Sequence, residues 1–541
     1  LWWRDDFHED LRGPGGKLQD MGQVVLNDLA ELTRLQVPVA AVMLDRPHSL
    51  QGPRDEELPG WGTLESGRFR LDFPRAAEVL RRVREAGVQV LCWTANRVVS
   101  DAKAEAKASG FTFPGYEDAV DVRLPEAWVW WQEKLSVFST DYGIQGHMID
   151  RGEETGLLVS LGPLWRPRLK RVREVPEFLA NENAALFPQL VAETLSRYWG
   201  EDHYVYTRSG YDRSRRVAGV WNGDARGWKG LRESVKHLLR AGLILFPLWG
   251  SDVGGYKHPI LGWKRDDELW VRWAQFAAWS PHMHLVFGPG RTPWLDFAKE
   301  HLEAFRQSVR LKHDLLPYYR SLLHQAAKTG MPVARPLFLE FGQAGADDGL
   351  ADRCGEYLFG PEFLVAPIAR RGQRLRAIEL PSGGWLDYAE RRAVYEGGRR
   401  IRLPAPLQRI PVLVREGAIV PRGDLVRFNN TWTADWKPRL SVELYPSRRR
   451  ANSFPYFTGT GVSRIALDAD AVGVRVSWEP LGTDGVMRIY CTRPDEARLD
   501  GRRLGPEAFS YDPDQNLLEL PFSGGTAGEL ALRGSRGPWD R

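Results

Sequence analysis

The sequence predicts an α/β fold, an eight-stranded parallel (β/α)8 barrel of the TIM type, followed by two β-sandwich domains. Three observations carry this prediction. Over the first 330 residues, short apolar runs alternate with longer segments of helical period. These runs are apolar throughout, as in parallel strands buried on both faces. Beyond residue 330, short strands rich in Val, Ile, Leu and Tyr follow one another between Gly and Pro turns. We place the barrel at 1–330 and the sandwiches at 331–425 and 426–541.

Eight apolar runs are predicted as barrel strands, and polar or glycine-rich turns end them. In chain order they are Trp2–Phe7, Val37–Asp45, Val88–Asn96, Gly143–Asp150, His203–Gly210, Ala218–Asp224, Leu243–Gly254 and His284–Gly290. A helical segment is expected after each, and the clearest are Met21–Leu35, Ala76–Ala86, Trp128–Asp141, Pro188–Trp199, Trp228–Ala241 and Trp270–Ala278. No glycine-rich dinucleotide fingerprint follows the first strand, which disfavours an open, doubly wound sheet.

The composition excludes several classes of protein. With 43% hydrophobic and 27% charged residues, the chain is an ordinary globular protein rather than a disordered one. Its 74 Lys and Arg against 70 Asp and Glu leave a net charge of +4, too small to indicate nucleic acid or an anionic membrane as partner. The longest apolar runs are far shorter than the roughly 20 residues of a membrane-spanning helix. Three distant cysteines indicate neither a disulfide framework nor a thiolate metal site.

Tryptophan is abundant, with 22 residues of which 17 precede residue 300. Its flat apolar face serves core packing, protein interfaces or stacking on sugar rings, and we expect most of these residues to lie in the core. The chain begins Leu1-Trp2-Trp3 without an initiator Met or a signal peptide. This start is typical of a piece of a longer protein, so a missing targeting signal does not identify a compartment.

Four predicted barrel strands end in aspartate: Asp45 on the second, Asp150 on the fourth, Asp224 on the sixth and Asp252 on the seventh. In a β/α barrel the carboxyl ends of the strands form the active site. A single such Asp serves equally well as a helix cap. Four at one mouth repel one another, which is costly unless they bind or react.

Paired carboxylates among aromatic residues indicate glycosyl transfer, because that reaction needs an acid for the leaving oxygen and an anion on the opposite face of the sugar. A metal site would need His and carboxylate ligands in a tight cluster. His282 and His284 flank Met283, but nothing nearby in the sequence completes such a set. We therefore predict no metal and no cofactor.

The ordered motifs at these strand ends resemble glycoside hydrolase family 31, the retaining α-glucosidases, α-xylosidases and their relatives. The resemblance extends over the barrel and the first sandwich, about 420 residues, while the last domain matches only loosely. The motifs that carry it are Asp150-x-x-Glu153, Arg208, Trp221-x-Gly-Asp224, Asp252-Val-Gly-Gly-Tyr256, Arg272-Trp-Ala-Gln-Phe276, Ser280-Pro281, Glu356-Tyr-Leu-Phe-Gly360, Val365-Ala-Pro367, Ile410-Pro-Val412 and Gly417-Ala-Ile-Val-Pro421.

The resemblance implies that Asp150 is the nucleophile and Asp224 the general acid/base. Their carboxyl groups should lie about 5–5.5 Å apart, as retention of configuration requires. It also implies that Arg208 contacts sugar hydroxyls and the carboxylates, and that Asp45 and Asp252 accept hydrogen bonds from the sugar. Further candidates are Glu153 in support of the nucleophile and, for an apolar wall around the sugar, Trp93, Trp221, Trp249 and Tyr256.

The sequence also departs from the family pattern. In Pro281-His-Met-His-Leu-Val286, His284 stands where the family has Arg and Val286 where it has a sugar-binding His. Either His284 supplies the lost contact, or the pocket accepts a different sugar. Arg151-Gly152 replaces the Met-Asn of the well-known glucosidases. In the family an N-terminal β-sandwich lends a loop to the active site, and we expect this sequence to lack that domain.

Three functions are compatible with these motifs. A retaining α-glycosidase that forms a covalent glycosyl-enzyme is the leading hypothesis, with a carbohydrate as substrate. A transglycosylase would use the same catalytic pair with a sugar in place of water. A non-catalytic carbohydrate-binding relative is the third, which the intact Asp150 and Asp224 disfavour. A homo-oligomer is left open.

Overall fold

The computed structural model describes residues 2–4, 21–44, 75–98, 100–113, 116–150, 152, 177–256, 265–287, 292–342, 355–429 and 435–540. Eight parallel strands in these ranges form a closed ring. The seventh strand is interrupted at Ser251, so that its first half pairs with the sixth strand and its second half with the eighth, which also pairs with the first. The strands are β1 Trp2–Arg4, β2 Ala41–Leu44, β3 Gln89–Ala95, β4 Gly146–Asp150, β5 Tyr204–Thr207, β6 Gly219–Trp221, β7 Trp249–Gly250 with Asp252–Val253, and β8 His284–Phe287.

All eight strands were predicted, and the barrel fold is confirmed. Helices surround the ring, together with a small hairpin of Thr112–Phe113 and Tyr116–Val120. The helices of this part are α1 Met21–Arg34, α2 Ala76–Glu85, α3 Ser100–Ala108, α4 Pro125–Tyr142, α5 Glu177–Trp199, α6 Gly227–Leu243, α7 Asp267–Ala278, α8 Pro293–Asp296, α9 Lys299–Asp314 and α10 Leu316–Thr329.

Two helix predictions were wrong. Helix α5 begins at Glu177 and has Pro188 in its interior, whereas the sequence prediction started the helix at this proline. Phe187 and Leu190 are buried on either side of it, so packing maintains the helix despite the lost backbone hydrogen bond. The second error concerns the connection from β5 to β6. It holds only a 3-10 turn, Asp212–Arg216, because 11 residues, 208–218, are too few for a crossover helix.

The barrel separates two apolar cores. Side chains alternate along each strand, so one set fills the barrel and the other packs beneath the helices. Val90 and Cys92, for example, belong to the core under the helices, while Leu91 and Trp93 point into the barrel. The buried interior residues are Ala41, Met43, Leu91, Trp93, Ala95, Met148, Tyr206, Trp221 and Val286.

Mostly antiparallel sheets follow the barrel, as the fold prediction requires. A six-stranded sheet has the spatial order Ala334–Arg335, Tyr357–Phe359, Phe363–Val365, Val412–Arg415, Gly384–Asp387 and Val394–Glu396, and Leu375–Glu379 pairs with Arg400–Pro404. The short helix α11, Phe338–Phe341, lies within this part.

Two further sheets form the distal part. One has the order Ile419–Arg422, Leu440–Leu444, Gly485–Tyr490, Leu517–Phe522 and Ser510–Asp512. The other has the order Asn452–Phe457, Val462–Ala469, Gly473–Trp478, Gly528–Arg533, Glu496–Leu499 and Arg502–Arg503. The division at 425/426 stays a proposal, and the strand Ile419–Arg422 already belongs to the first of these distal sheets.

Buried polar side chains fasten the barrel to the sandwiches. Arg272 of α7 is buried and donates to the carbonyl oxygens of Arg409 (2.8 Å) and Ala405 (2.7 Å). Gln275, on the same helix, donates to the carbonyl oxygen of Leu407 at 2.7 Å. The Arg-Trp-Ala-Gln-Phe motif therefore joins two domains in this chain. Among the described helices, none has both the length and the apolar character that a membrane crossing demands.

Candidate active site

The carboxylate of Asp150 lies at the carboxyl end of β4 and is held by two donors from neighbouring strands. Arg208 Nη1 is 2.7 Å from Asp150 Oδ1. The indole N–H of Trp93, on β3, donates to Asp150 Oδ2 at 3.3 Å. The carboxylate keeps 19% of its side-chain surface exposed. It is therefore oriented and still open to a ligand.

Arg208 reaches Asp150 because the two strand ends are in register. Its backbone N–H donates to the carbonyl oxygen of Ile149 at 2.9 Å, which continues the β4–β5 ladder. Its aliphatic stem lies against the turn after β6, where a Cβ at Gly223 would be 3.3 Å from Arg208 Cδ. Gly223 also has φ +67°, which favours glycine. Asp224 follows on this tight turn and is exposed.

The end of β7 is the most deeply buried part of the predicted site. Asp252 and His284 are paired across β7 and β8 and are fully buried, with His284 Nδ1 3.5 Å from Asp252 Oδ1. Burial holds the pKa of the His284 imidazole well below its ordinary value, so the imidazole is neutral at pH 7. The next turn contacts the one after β6, since the backbone N–H of Tyr256 donates to the carbonyl oxygen of Ala225 at 2.9 Å.

The four aromatic candidates separate into two groups. Trp93, Trp221 and Tyr256 belong to the cluster inside the barrel, where Trp221 stacks on Tyr206 at 5.1 Å between ring centroids. Trp249 lies instead in the core beneath the helices, 6.3 Å from the ring of Phe276. Three of the four therefore lie on the interior side of the barrel wall, and we leave Trp249 out of the proposed site. Trp93 faces Asp150 through its N–H.

A row of polar aromatic residues, Tyr204, Tyr206, His282 and His284, lies within or against this cluster. Tyr204 Oη lies 3.1 Å from His282 Nδ1, and the His282 ring is 4.4 Å from Tyr206 and 5.8 Å from His284. Burial lowers the pKa of His282 well below its ordinary value. The sequence did not single out Tyr204 or Tyr206, because tyrosine on a strand is most often a packing residue.

Lys312 of α9 fixes the segment that leads into this row. Its ammonium group donates to the carbonyl oxygens of Ser280 (2.5 Å) and Pro281 (3.2 Å) and lies 4.0 Å from the centroid of the Tyr319 ring. Burial lowers the pKa of Lys312 to about 7. The Ser280-Pro281 motif thus has a structural role before β8.

Some predicted site residues are not placed. Asp45 and Glu153 lie outside the described residues. Within the part of the chain that is described, no three His, Cys, Asp or Glu side chains form a cluster that could hold a metal ion. The carboxylate separation between Asp150 and Asp224 stays a prediction.

Two buried amides next to Asp150 were missed in the sequence. Asn96 follows β3, and Asn183 lies on α5; both are at most 3% exposed. They are joined by a hydrogen bond of 2.7 Å, and Asn183 Nδ2 donates to the carbonyl oxygen of Gly152 at 3.0 Å. The pair is 87 residues apart in the chain and has no motif, so no sequence signal could have found it.

Comparison with protein families agrees with this architecture. Residues 23–322 match the family model described as the TIM-barrel domain of glycosyl hydrolases family 31. Residues 330–420 match the C-terminal domain of the same family. The first match alone extends over more than half of the chain, and together the two include Asp150, Asp224 and most of the segment 331–425 that was predicted as a sandwich.

Individual proteins show the same similarity. The chain is 34% identical to human neutral alpha-glucosidase AB over 349 residues, which are 59% of this chain and 35% of that protein. It is 30% identical to alpha-glucosidase 2 of Bacillus thermoamyloliquefaciens over 331 residues, 59% of this chain and 40% of that enzyme. The chain thus spans well under half the length of these relatives. Among solved structures, a GH31 dextranase of Flavobacterium johnsoniae superposes with a TM-score of 0.81 at 20% identity, over 98% of this chain and 70% of that chain.

Proposed function

The chain belongs to glycoside hydrolase family 31, and on this premise we propose that it hydrolyses terminal α-linked sugar residues with retention of configuration. The observation that carries the proposal is the Asp150 carboxylate at the end of β4, held by Arg208 and Trp93 and partly exposed. A nucleophilic carboxylate has to be fixed in direction and reachable by substrate. The geometry of Asp150 meets both requirements.

In the first step, a carboxylate oxygen of Asp150 attacks the anomeric carbon as the bond to the leaving oxygen breaks. Asp224 gives its proton to that oxygen, and the sugar is held as an ester of Asp150. In the second step, the ionised Asp224 takes a proton from water, the water oxygen attacks the anomeric carbon, and the ester bond breaks. Both carboxyl groups return to their starting states. Two inversions give net retention.

Arg208 and Trp93 prepare the nucleophile for this chemistry. The guanidinium fixes Oδ1 of Asp150, and the indole N–H fixes Oδ2. These donors are in place before substrate binds, so little reorganisation is needed during the reaction. Asp224 is exposed on the turn after β6, where substrate can reach it.

The substrate class follows from the interior of the barrel. Val286, where typical members have a sugar-binding histidine, is fully buried among apolar interior residues. His284 is also fully buried, beside Asp252. The subsite of this chain therefore lacks one polar contact, and we propose a small α-linked sugar as substrate without assigning it to glucose.

The test is a panel of aryl α-glucoside, α-xyloside, α-galactoside and α-sulfoquinovoside, hydrolysed by the parent protein and by Asp150→Ala and Asp224→Ala. We expect one sugar to be preferred and both variants to lose turnover. Hydrolysis by both variants at the parent rate would refute the catalytic assignment. Binding without product release by the parent protein would instead identify a carbohydrate-binding relative. Transfer products at high acceptor concentration would identify a transglycosylase.

A further inference from the structure

A relay of side-chain amides joins three elements around the backbone that follows Asp150. Asn96 Nδ2 donates to Asn183 Oδ1 at 2.7 Å and to the carbonyl oxygen of Val120 at 2.9 Å. Asn183 Nδ2 in turn donates to the carbonyl oxygen of Gly152 at 3.0 Å. The relay therefore connects the end of β3, helix α5 and the segment two residues beyond the nucleophile.

The residue type is essential to this relay. Each Asn supplies a donor and an acceptor in one rigid group, so Asn183 can accept from Asn96 and donate to a carbonyl oxygen at the same time. Both side chains are almost completely buried, at 2% and 3% exposure. Water cannot easily replace either hydrogen bond, and a buried carbonyl oxygen that loses its donor is costly.

Gly152 is also close to the residue that follows Arg208. A Cβ at this position would lie 2.5 Å from Ser209 Oγ. The neighbours of Gly152 therefore include the Asn183 amide and the residue next to the Asp150 partner. A displacement of this backbone would move the end of β4.

Strand β3 contacts the nucleophile at two points. Ala95 pairs with Asp150 in the sheet, Trp93 donates to the Asp150 carboxylate, and Asn96 begins the relay one residue beyond the last pair. Residues of β3 therefore help to position both the Asp150 carboxylate and the backbone that follows it. Small errors in the direction of a nucleophile cost on the order of 10²-fold in rate.

We infer that Asn183, with Asn96 behind it, is a positioning residue that holds the end of β4 so that the Asp150 carboxylate points at the anomeric carbon. The inference rests on the proposed function, since it gives the relay a role in the reaction of Asp150. Neither Asn touches the reacting atoms. Both act through the backbone at Gly152.

The test compares Asn183→Ala and Asn183→Asp with the parent protein. Alanine removes the donor, and aspartate keeps the shape but offers the Gly152 carbonyl oxygen an acceptor. We expect kcat/KM to fall on the order of 10²-fold in both. The loss should be similar for aryl glycosides with good and with poor leaving groups, because a misdirected nucleophile is not helped by an easier departure. Asp224→Ala should recover with the good leaving groups.

Asn429→Ala is the matched control for lost stability. Asn429 is a fully buried Asn that donates to the carbonyl oxygen of Val37 at 3.1 Å and joins the barrel to the segment after residue 425. It has no described contact with the strand-end site. We expect it to lower Tm as Asn183→Ala does, with kcat/KM per folded molecule unchanged.

Active-site labelling separates positioning from misfolding. The probe is the 5-fluoro-α-glycosyl fluoride of the sugar preferred in the panel, which accumulates as a glycosyl-enzyme. Asn183→Ala should be labelled to the same final extent as the parent but on the order of 10²-fold more slowly. Parent-like labelling rates, or a loss of activity that equals the loss of labelled fraction, would overturn the positioning role. A parent protein that neither turns over nor becomes labelled would refute the proposed function instead.

Discussion

Two carboxylates paired with arginine lie in different regions of the molecule and differ in their exposure and in the donors around them. At the barrel mouth, Asp150 is held by Arg208 and by the indole N–H of Trp93 and keeps 19% of its side-chain surface exposed. Between the barrel and the distal sheets, Glu443 is fully buried between two arginines, Arg391 and Arg422, at 2.8 and 2.9 Å from Oε1.

Tyrosines complete the enclosure of Glu443. The hydroxyl groups of Tyr388 and Tyr445 donate to Oε2 at 3.1 and 3.0 Å, and Arg422 also pairs with Asp314 of α9. Burial alone would raise the pKa of Glu443, but Arg422 and Arg391 outweigh it and hold the pKa below its ordinary value. A carboxylate with every lone pair engaged stabilises a domain junction, whereas one left partly open at a strand end is available for reaction.

Asp150→Asn should give the largest effect on rate. The amide is a far weaker nucleophile, so we expect kcat to fall by on the order of 10⁴-fold or more. Steady-state hydrolysis of the preferred aryl glycoside measures this, and circular dichroism melting monitors the fold. Because the site is open to water, Tm should stay close to that of the parent. A large drop in Tm would place Asp150 in the same structural class as Glu443.

Glu443→Gln should give the largest effect on stability. It removes the negative charge of a fully buried carboxylate that pairs with Arg391 and Arg422, which costs about 3–5 kcal/mol in the free energy of unfolding. Urea titration measures the cost, and kcat per folded molecule should not change. The comparison between the two regions would break down if this variant kept its stability but lost turnover.

Arg208→Lys should lower the rate less than Asp150→Asn does. An ammonium group keeps the positive charge but not the planar fork that fixes Asp150 Oδ1, so we expect kcat/KM to fall on the order of 10²-fold. Kinetics on the same aryl glycoside test this. Arg391→Lys serves as control, because it should lower stability and leave kcat/KM unchanged.

Lys312→Met should give a smaller, pH-dependent effect. Since the pKa of Lys312 is about 7 in the folded protein against 10.5 ordinarily, the unfolded chain binds more protons between these values. Stability of the parent should therefore rise with pH across this window, by about 1 kcal/mol from pH 7 to 8. Urea titration at several pH values should show that Lys312→Met removes this rise.

Lys299→Met is the control for Lys312→Met, because Lys299 lies on the same helix and is exposed. This variant should keep the pH dependence of the parent. If Lys312→Met also kept the rise in stability with pH, the buried ammonium group of Lys312 would not be the source of that rise.

The sequence allowed every barrel strand to be predicted, because continuous apolar runs identify buried parallel strands. It also placed Asp150, Arg208 and Asp224 at strand ends. It could not show which way a strand tryptophan points, so Trp93 and Trp249 were grouped although they lie on opposite sides of the barrel wall. Their faces depend on the register of each strand, and one residue of shift reverses them.

The other features that the sequence did not reveal also depend on three-dimensional structure. A helix was expected after β5, but periodicity cannot measure whether a connection is long enough to cross over. Asn96 and Asn183 are 87 positions apart and meet only in three dimensions, and the segment between them includes the whole of β4. The junction around Glu443 likewise joins residues from three regions of the chain.

The most direct test of the account is to identify the residue that carries the sugar in the trapped glycosyl-enzyme. The protein would be incubated with the 5-fluoro-α-glycosyl fluoride of its preferred sugar, digested with protease and analysed by tandem mass spectrometry. The account predicts one sugar per chain, esterified to Asp150. A sugar on Asp224 or Asp252, or turnover of aryl glycoside by a protein that never forms a covalent adduct, would contradict it.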